Sequence, residues 1–420
     1  MRTTARGWMS WVVLALSVVG VPFGAAAWAD GDDAAKSRAL ALNDLTGAHP
    51  MDGMLQKLLT DPSGTKKMLK AAHALSKQTP DALNRNVTLL CAVVAEEVKE
   101  IEISAYFFRL NGKQNLKLLS EQAVAKSYLG LIEMYIRNKK YSESEKVCDE
   151  FLKLEGEEDD AIEKLKPLVV RQMILTIARQ GAVDRAMKKV DELIAEQPNN
   201  WLQRVLKAQV QREAGKLEDA VKTYLDVIER VGKEKRLAKE KAAEFVDLYR
   251  YSLSGLYVDL EQIDKATEQL KLLLAREPDN ATYNNDLGFI WADRGMNLPE
   301  SEKLIRKAIE DDRKARRKAN PEIKPEDDRD NAAYLDSLGW VLFKQGKAKE
   351  AKPLLLDAIK DKENQSLEVW DHLGDVHSAL GEKAEAVAAW KKGIAAATDR
   401  KRDKKRKAEV EKKLEANLEK

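Results

Sequence analysis

Apolar and small residues recur in a helical pattern near the C-terminal end of the chain. Between residues 331 and 393, two successive stretches place apolar residues three or four positions apart, break at a glycine and then resume that spacing. Each stretch predicts two amphipathic helices joined by a turn. The second copy follows the first by 35 residues, as from Gly339 to Gly374. A helical hairpin with an apolar stripe on each helix cannot bury both stripes alone, so we expect the copies to stack in tandem.

The same pattern can be followed backward along the chain. One position in the first helix of each pair, here called the small position, is occupied by Gly374, Gly339, Gly288, Ser254, Ala208, Ile174 and Ile132. The residues that open the second helix are Ala386, Ala351, Ser301, Ala266, Ala220, Ala186 and Ser144. Two steps between small positions are 34 residues, whereas steps of 42, 46 and 51 residues predict charged insertions between repeats.

A Leu-Gly pair in the first helix, a glycine at the turn and an alanine opening the second helix resemble the tetratricopeptide repeat (TPR), whose period is about 34 residues. Pro198 and Pro278, just after the second helix, agree with it. The resemblance implies an all-α, right-handed superhelical solenoid of about seven or eight TPR-like helix-turn-helix repeats over residues 81–395. It also implies a non-enzymatic scaffold that binds a protein or peptide partner in a concave groove lined by the first helices.

The N-terminal residues have the features of a secretory signal peptide. Arg2 and Arg6 precede an apolar run that ends near Val21, and Ala27 and Ala29 offer the small residues that a signal peptidase recognises. The run is shorter than the ~20 residues that a spanning helix needs, which argues against a membrane anchor. We therefore predict a signal peptide over residues 1–29, export to the periplasm or the extracellular space, and no membrane span in the mature chain.

The two flanks of the repeat array have different patterns. Residues 30–80 are helical in composition but weakly periodic, and form either a degenerate first repeat or a separate helical region; the register before about residue 120 stays open. Residues 396–420 carry a run of basic residues together with an apolar stripe of Val410, Leu414 and Leu418. A solenoid needs its last apolar face covered, so this segment is predicted to be a charged capping helix.

Composition narrows the classes of partner and of chemistry. The chain has 72 basic and 70 acidic residues and a net charge of +2, which gives no overall attraction to nucleic acid. Its four histidines and two cysteines form no zinc-binding pattern, and His372 and His377 are five positions apart on one helix, so they diverge. We expect no metal, no cofactor and no catalytic site. Cys91 and Cys148 are expected to be free, buried thiols, although their oxidation state stays open.

The candidate binding groove follows from the repeat register. Its predicted lining at the C-terminal end consists of Asn285, Phe289, Asp336, Trp340, Phe343, Asp371 and Asp375. Aromatic rings offer rigid contact area and carboxylates favour Lys or Arg, so the predicted ligand is an extended segment with basic or aromatic residues. Packing of Trp340 and Phe343 against neighbouring helices is the competing interpretation.

One alternative keeps the fold and changes the ligand. In this hypothesis Tyr251, Phe289 and Trp340 stack on sugar rings, and the protein binds carbohydrate or assists the assembly or export of cell-wall polysaccharide or exopolysaccharide. A third possibility, a groove for chaperone C-termini, is disfavoured because TPR modules of that kind use Lys, Arg and Asn where this chain has Asp.

Overall fold

The computed structural model describes residues 36, 39–43, 51–118, 120–155, 161–324, 327–398 and 401–418. The predicted signal peptide lies outside these residues. In the described part the chain is all-α, which confirms the predicted fold class. The helices are α1 Met51–Leu59, α2 Pro62–Gln78, α3 Arg85–Glu97, α4 Ile101–Lys117, α5 Glu121–Arg137, α6 Tyr141–Leu152, α7 Ala161–Arg179, α8 Val183–Glu196, α9 Trp201–Glu213, α10 Leu217–Lys233, α11 Lys239–Asp259, α12 Ile263–Arg276, α13 Ala281–Asp293, α14 Leu298–Ala319, α15 Ala332–Lys344, α16 Ala348–Ala358, α17 Leu367–Ala379, α18 Lys383–Ala396 and α19 Lys401–Leu418. Short 3₁₀ helices cover Pro80–Ala82 and Lys362–Asn364.

The chain divides into two compact units, residues 1–199 and residues 200–420. In the described part of the first unit, α1 and α2 precede three helical hairpins, α3/α4, α5/α6 and α7/α8. The second unit contains five hairpins, α9/α10, α11/α12, α13/α14, α15/α16 and α17/α18, followed by α19. In each pair we call the first helix A and the second helix B.

Each described hairpin has a residue with positive φ just after helix A, and the α13/α14 turn has a second one, Asn297. The residues after helix A are Lys99, Lys139, Gly181, Gly215, Glu261, Gly295, Gly346 and Gly381. At Gly346, for example, the amide donates to the Phe343 carbonyl at 2.8 Å and the next amide, of Lys347, donates to the Leu342 carbonyl at 2.9 Å. This is the Schellman arrangement, which satisfies the last carbonyls of helix A and reverses the chain. The steps between turn residues repeat the irregular period that the sequence predicts.

Helices A and B approach closely at the predicted small position. A Cβ atom on Gly339 would lie 2.7 Å from Leu355 Cγ of helix B, and one on Gly288 would lie 2.9 Å from the Ser301 carbonyl oxygen. All seven predicted openers of helix B are buried, which agrees with the register counted from the sequence. Contacts this close leave no space for a side chain, which explains the glycines.

A serine hydrogen bond extends the register to the first hairpin. Ser144 Oγ donates to the Ile132 carbonyl oxygen at 3.2 Å, and Ser104 Oγ donates in the same way to the Ala92 carbonyl oxygen at 2.7 Å. Ala92 therefore occupies the small position of α3/α4, 40 residues before Ile132. This settles a register that the sequence pattern alone leaves open.

The second and third insertions lengthen helices. The second insertion extends α10 to 17 residues and α11 to 21 residues, and the third extends α14 to 22 residues. The basic run at the end of α14 is paired with the acidic residues that follow it: Arg313 Nη2 lies 2.7 Å from Asp330 Oδ2, and Arg316 Nε lies 2.9 Å from Asp328 Oδ1.

Before the hairpins, residues 62–64 form the first turn of α2. The Asp61 side chain caps this turn by accepting from the Gly64 amide at 3.0 Å. Asn43 joins this region to α3 by accepting from the Asn84 amide at 2.8 Å and donating to the Ala82 carbonyl.

Candidate functional site

The seven predicted groove residues lie on consecutive A helices of the second unit. Helix α13 carries Asn285 and Phe289, α15 carries Asp336, Trp340 and Phe343, and α17 carries Asp371 and Asp375. We call these seven residues the acidic face. The spacing of three or four positions within each helix places them on one side. None of the seven is fully exposed: four are buried, and Phe289, Phe343 and Asp375 are half-buried.

Trp340 is packed into the unit. Its ring stacks on His372 of α17 with centroids 3.9 Å apart and an interplanar angle of 13°, and on Phe343 with centroids 5.3 Å apart. Only 7% of Trp340 is exposed, and it belongs to the apolar core that joins α13–α18. Little ring surface is left for a sugar to stack on, so the arrangement favours the packing interpretation of this residue.

His372 of α17 contacts two residues of the acidic face, Trp340 and Asp336, a role that its position in the sequence does not indicate. The fully buried ring has its Nδ1 atom 2.9 Å from Asp336 Oδ1 and its Nε2 atom 3.3 Å from Arg406 Nη1. A guanidinium can only donate, so Nε2 must accept. In the matching tautomer the hydrogen lies on Nδ1 and is donated to Asp336.

The basic C-terminal helix α19 lies against the acidic face. Lys413 Nζ is 2.7 Å from Asp371 Oδ1 and 2.7 Å from Asp375 Oδ2, so one ammonium bridges two carboxylates. Arg406 Nη1 is 3.3 Å from Asp371 Oδ2, and its Nη2 is 2.7 Å from Glu368 Oε1. The sequence predicts a basic ligand for this face and a basic helix at the C-terminus, but it does not predict that the two meet.

The apolar side chain of Val410 packs between these two cations. Val410, four residues after Arg406 and three before Lys413, is fully buried. It packs with Leu367, Ala386 and Trp390 of the last hairpin. The helix therefore covers α17 and α18 with the stripe of residues 406, 410 and 413, and leaves its opposite side in solvent.

The charges in the contact between α19 and α17 are not equally compensated. Burial would lower the pKa of Lys413, but the carboxylates of Asp375 and Asp371 outweigh it and hold that pKa above its usual value. Burial, followed by repulsion from Asp371, raises the pKa of Asp375 although Lys413 opposes it. Two carboxylates share one ammonium, so the lysine is firmly charged and Asp375 is the less compensated partner.

An open pocket of about 430 Å³ remains beside this contact. It is lined by Phe343, Asp375, Ser378, Ala379, Trp390, Lys413, Ala416 and Asn417. The pocket therefore lies between α19 and the repeat helices that carry the acidic face.

Other titratable groups are engaged within the chain. His377 Nδ1 is 2.5 Å from Glu382 Oε2. Among the described residues no group of three or more His, Cys, Asp or Glu is arranged to hold a metal ion. Cys91 and Cys148 are buried and unbridged, and burial raises the pKa of each thiol to about 12.

No helix in the described ranges combines the length and the apolar character needed to cross a membrane.

These features define an α-helical repeat protein whose A helices present an acidic surface. Residues 331–364, which form α15/α16, match the tetratricopeptide repeat family. The TPR repeat-containing protein PA4667 of Pseudomonas aeruginosa is 31% identical over 210 residues, which is 50% of this chain but only 30% of that relative. One hairpin of this chain therefore matches the tetratricopeptide repeat family, and half of the chain is similar to a protein that contains such repeats.

Solved structures with related architecture show low sequence identity. A tetratricopeptide repeat protein from Parabacteroides merdae is 15% identical, with 68% of this chain and 98% of that chain covered and a TM-score of 0.44. The Cut9–Hcn1 hetero-tetramer of the APC/C is 10% identical, with 90% and 86% covered and a TM-score of 0.42. Both scores are below 0.5.

Proposed function

We propose that this protein is an exported, non-enzymatic scaffold that binds a protein or peptide partner through the acidic face. The partner segment carries basic or aromatic side chains. One observation carries the proposal: Lys413 Nζ lies 2.7 Å from carboxylates on two successive turns of α17, so this face accepts a cationic side chain with defined geometry. Charge-assisted contacts of this kind give an interface register and specificity.

A capture experiment with the full-length protein tests the proposal. Tagged protein is expressed in its own host, cross-linked mildly and recovered, and bound proteins are quantified. The double variant Asp371→Asn/Asp375→Asn should lose about 90% or more of a specifically bound protein, since loss of a desolvated charged contact costs about 2 kcal/mol or more. A partner retained in full by this variant would place binding elsewhere on the chain.

The matched control removes the same charge away from the face. Glu350 and Glu385 are exposed residues in the first turns of α16 and α18. Glu350→Gln/Glu385→Gln should capture as much partner as wild type. Protease treatment of the recovered material separates the two ligand classes, because a carbohydrate ligand would survive it and would contradict a protein partner.

A further inference from the structure

The acidic face leaves buried carboxylates that depend on a neighbouring cation. Asp371 is only 4% exposed and touches both cations of α19, while Asp375 sits one turn later on the same helix. Removing α19 would leave two like charges adjacent in a partly desolvated site, which is unfavourable. The face therefore requires a cationic occupant, and α19 shows the pattern that such an occupant presents.

One fully buried apolar side chain and a set of ion pairs of unequal exposure hold α19. Val410 is the one apolar side chain of its described residues that is fully buried. Arg402 and Lys405 also form ion pairs, with Glu368 and Glu261, but their side chains are 51% and 67% exposed. Ion pairs this exposed contribute little and weaken with salt. A second helix with the same stripe could make the same contacts.

We propose that α19 is an internal ligand of the acidic face, and that the partner presents a basic amphipathic α-helix that takes its place. The matching helix carries Arg or Lys at two positions seven residues apart, with an apolar residue four positions after the first. This replaces the extended segment expected from the sequence with a helical one. The inference rests on the proposed function, since it assumes that the acidic face is the partner site.

A labelled peptide with the sequence of residues 401–418 tests the proposal by fluorescence anisotropy against the full-length protein. In wild type the peptide must compete with α19, so binding should be weak. Arg406→Gln/Lys413→Gln weakens the contacts of α19 with the acidic face, so α19 occupies the face less often. The peptide should then bind about tenfold or more tightly than it binds wild type. A peptide carrying the same two substitutions should not bind either protein.

The control protein is Lys404→Gln/Lys412→Gln, which removes the same charge from exposed positions of α19. It should bind the peptide as weakly as wild type does. Equal affinity of all three proteins for the peptide would overturn the proposal. If the double variant is unfolded by circular dichroism, Lys413→Gln alone should show a smaller gain in the same direction, and no gain would again overturn it.

The captured partner distinguishes this inference from the proposed function. Arg406→Gln/Lys413→Gln should recover more partner than wild type, and that gain should vanish when Asp371→Asn/Asp375→Asn is added. If capture requires Asp371 and Asp375 but is unchanged by the α19 substitutions, α19 is not an internal ligand, whereas the proposed scaffold function still holds. If wild type forms a dimer and the peptide dissociates it, the acidic face binds a second copy of this chain. That result would exclude a helix of a different partner.

Discussion

Asp286, which neighbours the acidic face on α13, is a half-buried residue whose carboxylate has no described cation bound to it. Its Oδ2 accepts from the Tyr251 hydroxyl at 2.8 Å, and its Oδ1 accepts from Asn285 Nδ2 at 3.2 Å. Burial raises the pKa of Asp286, and these two hydrogen bonds only partly oppose the rise. The Asn285 Oδ1 atom beside it is buried without a hydrogen-bond partner.

Asp286→Asn should therefore stabilise the protein at neutral pH. An amide at position 286 can still accept from Tyr251, and once the Asn285 amide turns over it can donate to the Asn285 oxygen, while no charge is desolvated. A carboxyl with a raised folded-state pKa binds more protons when folded, so wild type loses stability as the pH rises from the unfolded value through the folded one. The stability gain of the variant should grow over that window and then level off.

Urea unfolding followed by circular dichroism at a series of pH values between about 3.5 and 8 measures this difference. The matched variant Asp264→Asn alters an exposed carboxylate on α12 and should leave the pH profile parallel to that of wild type. A gain that stays constant with pH would show that the Asp286 carboxylate is not destabilised by burial.

At the scale of the helical hairpin, the eight described turns share a residue with positive φ but differ in which amino acid occupies it. Five of the eight turns use glycine at positive φ, whereas Lys99, Lys139 and Glu261 adopt the same conformation with a side chain. The left-handed region costs a non-glycine residue about 1 to 2 kcal/mol because Cβ crowds the following carbonyl. Turns with a long side chain therefore store strain that the glycine turns avoid.

Lys99→Gly should raise the free energy of unfolding by about 0.5 to 1 kcal/mol, less than the full strain because glycine also gains freedom in the unfolded chain. Lys99 has φ of 65°, so the relief acts on the α3/α4 turn. Thermal and urea unfolding measure it. Lys99→Ala keeps the Cβ atom and removes the charge, so an equal gain in that variant would attribute the effect to charge instead.

The hairpins were predictable because their signals are local, whereas the occupant of the acidic face was not. Gly339, Gly374 and the residues that open helix B are required by close packing within one repeat, so counting along the chain finds them. The contact of Arg406 and Lys413 with α17 joins residues 35 to 42 positions apart on different helices. No periodicity in the sequence indicates which side of α19 faces the repeats. The stripe of Arg406, Val410 and Lys413 marks that side, but it is hard to recognise among the many other charged residues of this segment.

At the scale of the whole chain, the proposed export has a direct test that does not depend on the fold. A precursor with the predicted signal peptide should be cleaved after Ala29, so that the mature protein begins at Asp30. N-terminal sequencing of protein recovered from the host measures this. An Ala27→Leu/Ala29→Leu precursor should remain uncleaved because the peptidase requires small residues there, and Met1 at the start of the wild-type protein would exclude cleavage.

The contacts of α19 with residues far away in the sequence also affect how the second unit folds during synthesis. A repeat that touches only its neighbours can fold as soon as it leaves the ribosome. Lys405, however, pairs with Glu261 at a distance of 144 residues along the chain, and Arg406 lies 3.8 Å from Asp293. The A helices can therefore stack early, but the charges of Asp371 and Asp375 remain uncompensated until residues 401–418 have emerged. We expect the last hairpin to be the latest part of this unit to become resistant to protease on the ribosome.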